Sequence, residues 1–140
     1  LGTAALTDRS FLEKACLEFP HRILLGLDAR DGKVAVRGWT ALSETTATDL
    51  LNQLEGHALG AVIYTDIARD GMLGGPNLTA LREVVELSSF PVIASGGISR
   101  VEDLKAVQAL GPQIQGAIVG KALYDGKLDY RVALAALGEA

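Results

Sequence analysis

The sequence contains a single cysteine, Cys16, among its 140 residues, so no internal disulfide is available to staple it. Cys16 falls within a helical pattern and reads as a small buried hydrophobe. Prolines number only four and no Gly/Ser-rich stretch separates one segment from another, so a flexible linker between domains is not expected. Aromatic residues make up 5% of the chain, which suits a fold whose core is rich in Val, Ile, Leu and Ala. Basic residues are outnumbered by acidic ones. Thirteen Lys and Arg against seventeen Asp and Glu give a formal charge of −4, and the cations are scattered, so neither nucleic acid nor an anionic membrane surface is an expected partner. No apolar run approaches the roughly 18 residues needed to span a bilayer, and no secretory leader is apparent. The expected compartment is the cytoplasm.

What the sequence does have is apolar residues, 49% of the total, with 21% charged, enough for one domain with a substantial core. They are arranged in a βα rhythm, short apolar runs alternating with amphipathic segments. Leu12, Ala15, Cys16 and Phe19 recur at helical spacing between Thr7, read as a cap, and Pro20. Arg22 to Asp28 reads as a buried strand. Thr46 with Asp49 resembles a capping box for a helix with Leu50, Leu51 and Leu54 on one face. Ala61 to Ile67 is a second strand, and Asn77 should cap a helix through Leu78, Leu81, Val84 and Val85. Pro91 to Ala94 is a third strand, and Ser99 with Glu102 forms a box for a helix through Leu104, Val107 and Leu110. Gly116 to Gly120 is the fourth strand, and a last helix from Tyr130 to Leu137 should stop at Gly138.

The opening Leu1 to Leu6 reads as the tail of a strand running into a loop, so the chain is expected to be a piece of something longer. Four complete βα units follow the end of that strand and its helix. Continuously apolar strands imply either an open sheet covered on both faces or a filled barrel. A closed eight-stranded (βα)8, or TIM, barrel needs about 250 residues. The expected fold is therefore α/β, with residues 1–140 as one C-terminal half-barrel domain.

In both parallel architectures ligands bind at the carboxyl ends of the strands. Asp28, Thr65, Asp66, Asp70, Ser95, Gly96, Gly97, Gly120 and Lys121 all fall there. Two similar stretches, DARDG at 28–32, which begins with Asp28, and IARDG at 67–71, which contains Asp70, each close an apolar run. Asp commonly caps the turn that follows it, but two carboxylates at one mouth can also divide acid and base work. Ser95-Gly96-Gly97 and Gly120-Lys121 end consecutive strands ahead of helices, where bare backbone N–H groups can meet a phosphate. His21 and His57 lie away from that mouth and read as solvated. No Cys/His spacing suits a metal, and no nucleophilic triad is visible.

In this order the residues resemble a known family. Gly26 to Ala35, then Arg37-Gly38-Trp39, then Tyr64 to Met72, Ala94 to Ser99 and Val119 to Tyr124 resemble the phosphoribosylformimino-aminoimidazole carboxamide ribotide (ProFAR) isomerases of histidine biosynthesis. The resemblance implies the C-terminal half of a (βα)8 barrel and an Amadori-type conversion of an aminoaldose into an aminoketose, without metal or organic cofactor. It further implies that Asp28 or Asp70 is the proton donor and that Thr65 steers the substrate. Arg37 and Trp39 would clamp it, Gly96, Gly97, Gly120 and Lys121 would hold one phosphate, and Gly2 and Thr3 the other. The family's proton-accepting aspartate lies on the first barrel strand, which this chain does not contain, so the chain alone is expected to be nearly inactive.

Two other readings compete with this one. The related cyclase of the same pathway, imidazole glycerol phosphate synthase, shares the half-barrel and the phosphate glycines, but Tyr64-Thr65-Asp66, Ile98-Ser99 and Arg37-Gly38-Trp39 point toward the isomerase. The other reading is a non-catalytic half-barrel whose unpaired edge strands join a second copy.

Overall fold

The computed structural model describes residues 1–36 and 41–138. Arg37 and Trp39, the expected clamp, lie outside the described residues. A six-stranded sheet dominates, with spatial order β3-β2-β1-β4-β5-β6. Its parallel part consists of β1 (Ile23–Arg30), β4 (Leu59–Asp66), β5 (Val92–Ser95) and β6 (Ile114–Ile118). These are the four expected strands, with each end shifted by one or two residues. The sheet is open, as a partial barrel requires.

One element was not anticipated. Between β1 and the helix α3 (Ala47–Gln53), the chain forms an antiparallel ribbon, β2 (Lys33–Val36) and β3 (Ala41–Thr46). Its cause is the first Asp-Gly. Arg30 pairs with Lys33 across a two-residue loop in which Asp31 and Gly32 have φ of 52° and 76°, the left-handed pair that tight hairpins favour. A motif read as a strand terminus is thus also a hairpin turn.

The start of the chain also differs from expectation. Leu1 does lie along β1, donating its amino group to the Leu24 carbonyl and accepting from the Gly26 N–H at 2.6 Å. Thr3–Thr7, however, is the short helix α1 rather than a loop. The next helix, α2 (Arg9–Glu18), is capped by Asp8, which accepts from the Phe11 N–H at 3.0 Å, whereas the Thr7 hydroxyl turns back to the Ala4 carbonyl. Leu12 and Cys16 are buried as expected, but Phe19 ends the helix largely exposed.

Capping explains where the later helices begin. Thr46 accepts from the Asp49 N–H ahead of α3, and Asn77 from the Ala80 N–H ahead of α4 (Leu78–Leu87). Ahead of α5 (Val101–Gln108) the carboxylate partner of Ser99 is Asp103, one residue beyond the expected Glu102. Glu102 is exposed, while Asp103 is buried and gathers the Ser99 N–H, the Ser99 hydroxyl and the Arg100 N–H on one oxygen. After the short α6 (Lys121–Tyr124), α7 (Tyr130–Leu137) stops at Gly138 with φ of 79°, the left-handed C-cap that glycine adopts without strain.

The two faces of the parallel strands differ. Leu25, Leu27, Val62, Tyr64, Val92 and Ala94 pack with Leu12, Leu51, Leu81, Val84, Leu104 and Val107 from the helices into one core. Burying such a side chain contributes about 1.5–3 kcal/mol. Among the described residues the opposite face has no helical cover: Ile63 and Ile93 are half-buried and Ile118 is 45% exposed. Parallel sheets are normally covered on both sides, so this open face is the unusual feature of the fold. Among the described residues, no helix is long and apolar enough to cross a membrane.

Candidate active site

Strand register assembles the first part of the site. Asp28 is opposite Thr65, and Thr65 is opposite Ser95, on three successive parallel strands. In-register residues of a parallel sheet project to the same side, with strands about 4.8 Å apart. All three are half-buried and alternate with the fully buried Leu27, Tyr64 and Ala94, so they belong to the open face, at its carboxyl edge. Tyr64, on the helical side, has its phenol pushed up to about 12 by burial, with the charges of Asp66 and Glu83 adding to the effect.

A hollow of about 80 Å³ forms the second part, between the ends of β4, β5 and β6. Ser95, Gly96, Gly97, Gly120 and Lys121 line it, and so does Asp70. Ser95 belongs to both groups and ties the strand row to the hollow. Asp28 does not line it. Among the described residues, no hydrogen bond engages the N–H groups of Gly96, Gly97 or Lys121, which leaves donors where an anion would need them. Lys121 is the one cation among the lining residues. The second expected phosphate position, Gly2-Thr3, is elsewhere: Gly2 packs against Gly26 of β1, two strands away from β5.

The glycines also have a packing reason to be glycine. Gly96 and Gly97 have φ of 99° and 80°. A Cβ on Gly96 would sit 2.6 Å from the Asp66 carbonyl oxygen, and one on Gly97 would overlap the Gly75 carbonyl and come within 3.0 Å of the Arg69 Cβ. The Gly75 N–H in turn donates to the Gly97 carbonyl at 3.0 Å. The β4–α4 loop is therefore pressed onto the β5–α5 loop with no room for a side chain.

The second Asp-Gly behaves differently from the first. The Asp66 carbonyl accepts the N–H groups of both Arg69 and Asp70, closing a helical turn rather than a hairpin. Asp66 itself is buried; its Oδ1 accepts from the Ala68 N–H at 2.9 Å and its Oδ2 from the Asn77 side-chain amide at 2.8 Å. Sequence reasoning placed Asp66 at the strand end without a role, and took Asn77 only as a cap. What distinguishes Asp66 is its position in the strand alternation, opposite in sense to Thr65. His21 and His57 are both away from this rim. His21 is exposed with φ of 58°, and His57 is half-buried with Nδ1 2.9 Å from the Leu54 carbonyl oxygen, so its solvation is only partial. Among the described residues no group of His, Cys, Asp and Glu is placed to hold a metal ion.

Comparison with known proteins yields one consistent result. Residues 1–129 match the family model described as "Histidine biosynthesis protein". A protein of Syntrophotalea carbinolica is 52% identical over 136 residues, covering 96% of this chain and 56% of its own length. A Synechococcus protein is 52% identical over 139 residues, and one from Rhodopseudomonas palustris 49% over 141, covering 54% and 58% of their lengths. Each is named 1-(5-phosphoribosyl)-5-((5-phosphoribosylamino)methylideneamino) imidazole-4-carboxamide isomerase. The chain spans a little over half the length of these curated relatives.

Proposed function

The chain belongs to the histidine biosynthesis protein family, and from that premise we propose that it is the C-terminal half-barrel of an isomerase acting on a doubly phosphorylated ribosyl-aminoimidazole carboxamide in the cytoplasm. The observation that carries this reading is the shared rim: Asp28, Thr65 and Ser95 in one row, running into a hollow bordered by Asp70, glycine N–H groups and Lys121.

The chemistry asks for little else. A general acid protonates the ribose ring oxygen as the C1′–O bond breaks, leaving an iminium at C1′. A base then takes the C2′ proton, and the resulting enaminol becomes the ketone as C1′ gains a proton and the 2′-hydroxyl gives one up. Atoms and electrons balance within the substrate, so proton transfer suffices and no cofactor is required. Asp28 and Asp70 are the two candidate acids. Thr65, in register between Asp28 and Ser95, steers the substrate, and Arg37 with Trp39 clamps it.

Gly96, Gly97, Gly120 and Lys121 would hold one phosphate. Gly2 and Thr3 would hold the other, some 10–14 Å away by strand spacing, a separation suited to a substrate phosphorylated at both ends. The base belongs to the remaining half of the barrel, whose absence costs about 10²–10⁴ in rate. The test is turnover of the complete protein against that of this chain alone. Negligible turnover by the complete protein overturns the reading.

A second arrangement is favoured by one specific observation. Among the described residues the outer edge of β6 is unpaired, and beside it Ala117, Val119, Leu123, Leu134 and Leu137 line an apolar groove of about 450 Å³. A second copy of the chain could cover that edge in place of the other half. Sedimentation of the isolated chain decides between them, a monomer at micromolar concentration ruling out the self-paired form.

A further inference from the structure

The β4–α4 loop carries Asp70, yet Asp70 itself is exposed and, among the described residues, hydrogen-bonded through its backbone alone. What fixes the loop is at its base. Asp66 is 4% exposed, and it meets the loop three times: its carbonyl receives the Arg69 and Asp70 N–H groups, Oδ1 receives that of Ala68, and Oδ2 receives the amide of Asn77. Asn77 lies at the far end of the same loop and uses its remaining oxygen to cap α4 at the Ala80 N–H. One buried carboxylate thus closes both ends of the segment. Midway, the Gly75 N–H fastens that segment to Gly97 of the hollow.

We infer that Asp66 and Asn77 are positioning residues whose side-chain hydrogen bond sets Asp70 against the anion hollow, an inference that rests on the isomerase reading of the site. The physical reason is the cost of misplacement: a catalytic group displaced by about 1 Å loses on the order of 10²-fold in rate, and no side-chain contact among the described residues holds Asp70 itself. A buried carboxylate facing a capped amide has one satisfied arrangement. If either partner changes alone, a buried polar group is left unmatched.

The test uses Asp66→Asn, Asn77→Asp and the exchanged pair D66N/N77D in the complete protein. Asn at 66 opposes two amide NH2 groups, and Asp at 77 opposes two carboxylates; the exchange restores a donor facing an acceptor while keeping the cap on Ala80. Each single change should lower kcat by on the order of 10²-fold with KM little altered, and should speed amide exchange at Arg69 and Asp70. The exchanged pair should recover most of both. Folded single variants with parental kcat overturn the inference, as does an exchanged pair that regains stability but not turnover. Should the single variants fail to fold, the exchanged pair decides by itself: parental kcat supports the clamp, and an impaired folded protein refutes it. Absence of turnover in the unmodified protein would defeat the isomerase reading alone, since amide exchange still reports whether the pair holds the loop.

Discussion

The most decisive perturbation is a single methyl group at Gly97. Alanine there must hold φ near 80°, a left-handed conformation that costs a side-chain-bearing residue about 1–2 kcal/mol. The methyl also overlaps the Gly75 carbonyl oxygen and crowds the Arg69 Cβ at 3.0 Å. Both groups are anchored, Gly75 by its hydrogen bond to Gly97 itself, so relief requires backbone displacement, typically another 1–3 kcal/mol. Gly97→Ala should therefore cost about 2–5 kcal/mol, whereas Gly71→Ala, with φ of 68° and nothing within 4 Å, should cost only the conformational part of about 1–2 kcal/mol. Urea unfolding separates the two: with a slope near 2 kcal/mol/M, Gly97→Ala lowers the midpoint by about 1–2.5 M. Equal losses at both positions would mean that the two loops are not locked together, and the account of the hollow would fail.

Other expectations are simpler to check. Inorganic phosphate should bind the folded chain beside Gly96 and Gly120, where free N–H groups meet Lys121, and calorimetry with no saturable heat would remove that site. Asp28→Asn in the complete protein should lower turnover by about 10²–10⁴ while circular dichroism and the unfolding midpoint stay close to the parent; near-parental kcat would strip Asp28 of its role. Tyr64 titrates near 12 in the folded state against an ordinary value near 10. Because the raised group holds its proton more tightly when folded, its stabilising effect is complete below pH 10 and is lost between pH 10 and 12, about 2–3 kcal/mol in all. Tyr64→Phe should flatten the alkaline limb of a stability–pH curve, and an unchanged limb would contradict the assignment.

Most of the fold was legible in the residues because the helices and strands have different periods and their ends carry local chemistry. Four parallel strands, the Thr46 and Asn77 caps and the Gly138 stop depend on contacts within a few residues, which a linear reading captures. The β2–β3 ribbon was missed although Asp31-Gly32 is a strong hairpin signal, because the same dipeptide at Asp70-Gly71 drew both toward one explanation. Only the neighbours separate them: Arg30 and Lys33 pair across the first, while the Asp66 carbonyl gathers the second into a helical turn.

The site divides along the same line. The sequence by itself determined which chemistry is present at the strand ends, Asp28, Thr65, Ser95, Gly96-Gly97 and Gly120-Lys121, since apolar runs mark the strands and the residues after them must lie at one rim. Tertiary structure decided how they combine. The pairing of Asp28 with Thr65 and of Thr65 with Ser95 is a matter of register between residues 37 and 30 positions apart in the chain. The demand for glycine at positions 96 and 97 comes from the Asp66 and Gly75 carbonyls pressing from another loop. The burial of Asp66 beside the half-exposed Thr65 follows from the face each takes on β4. Distances across a sheet depend on which strands become neighbours, and the burial of apolar surface over the whole chain settles that.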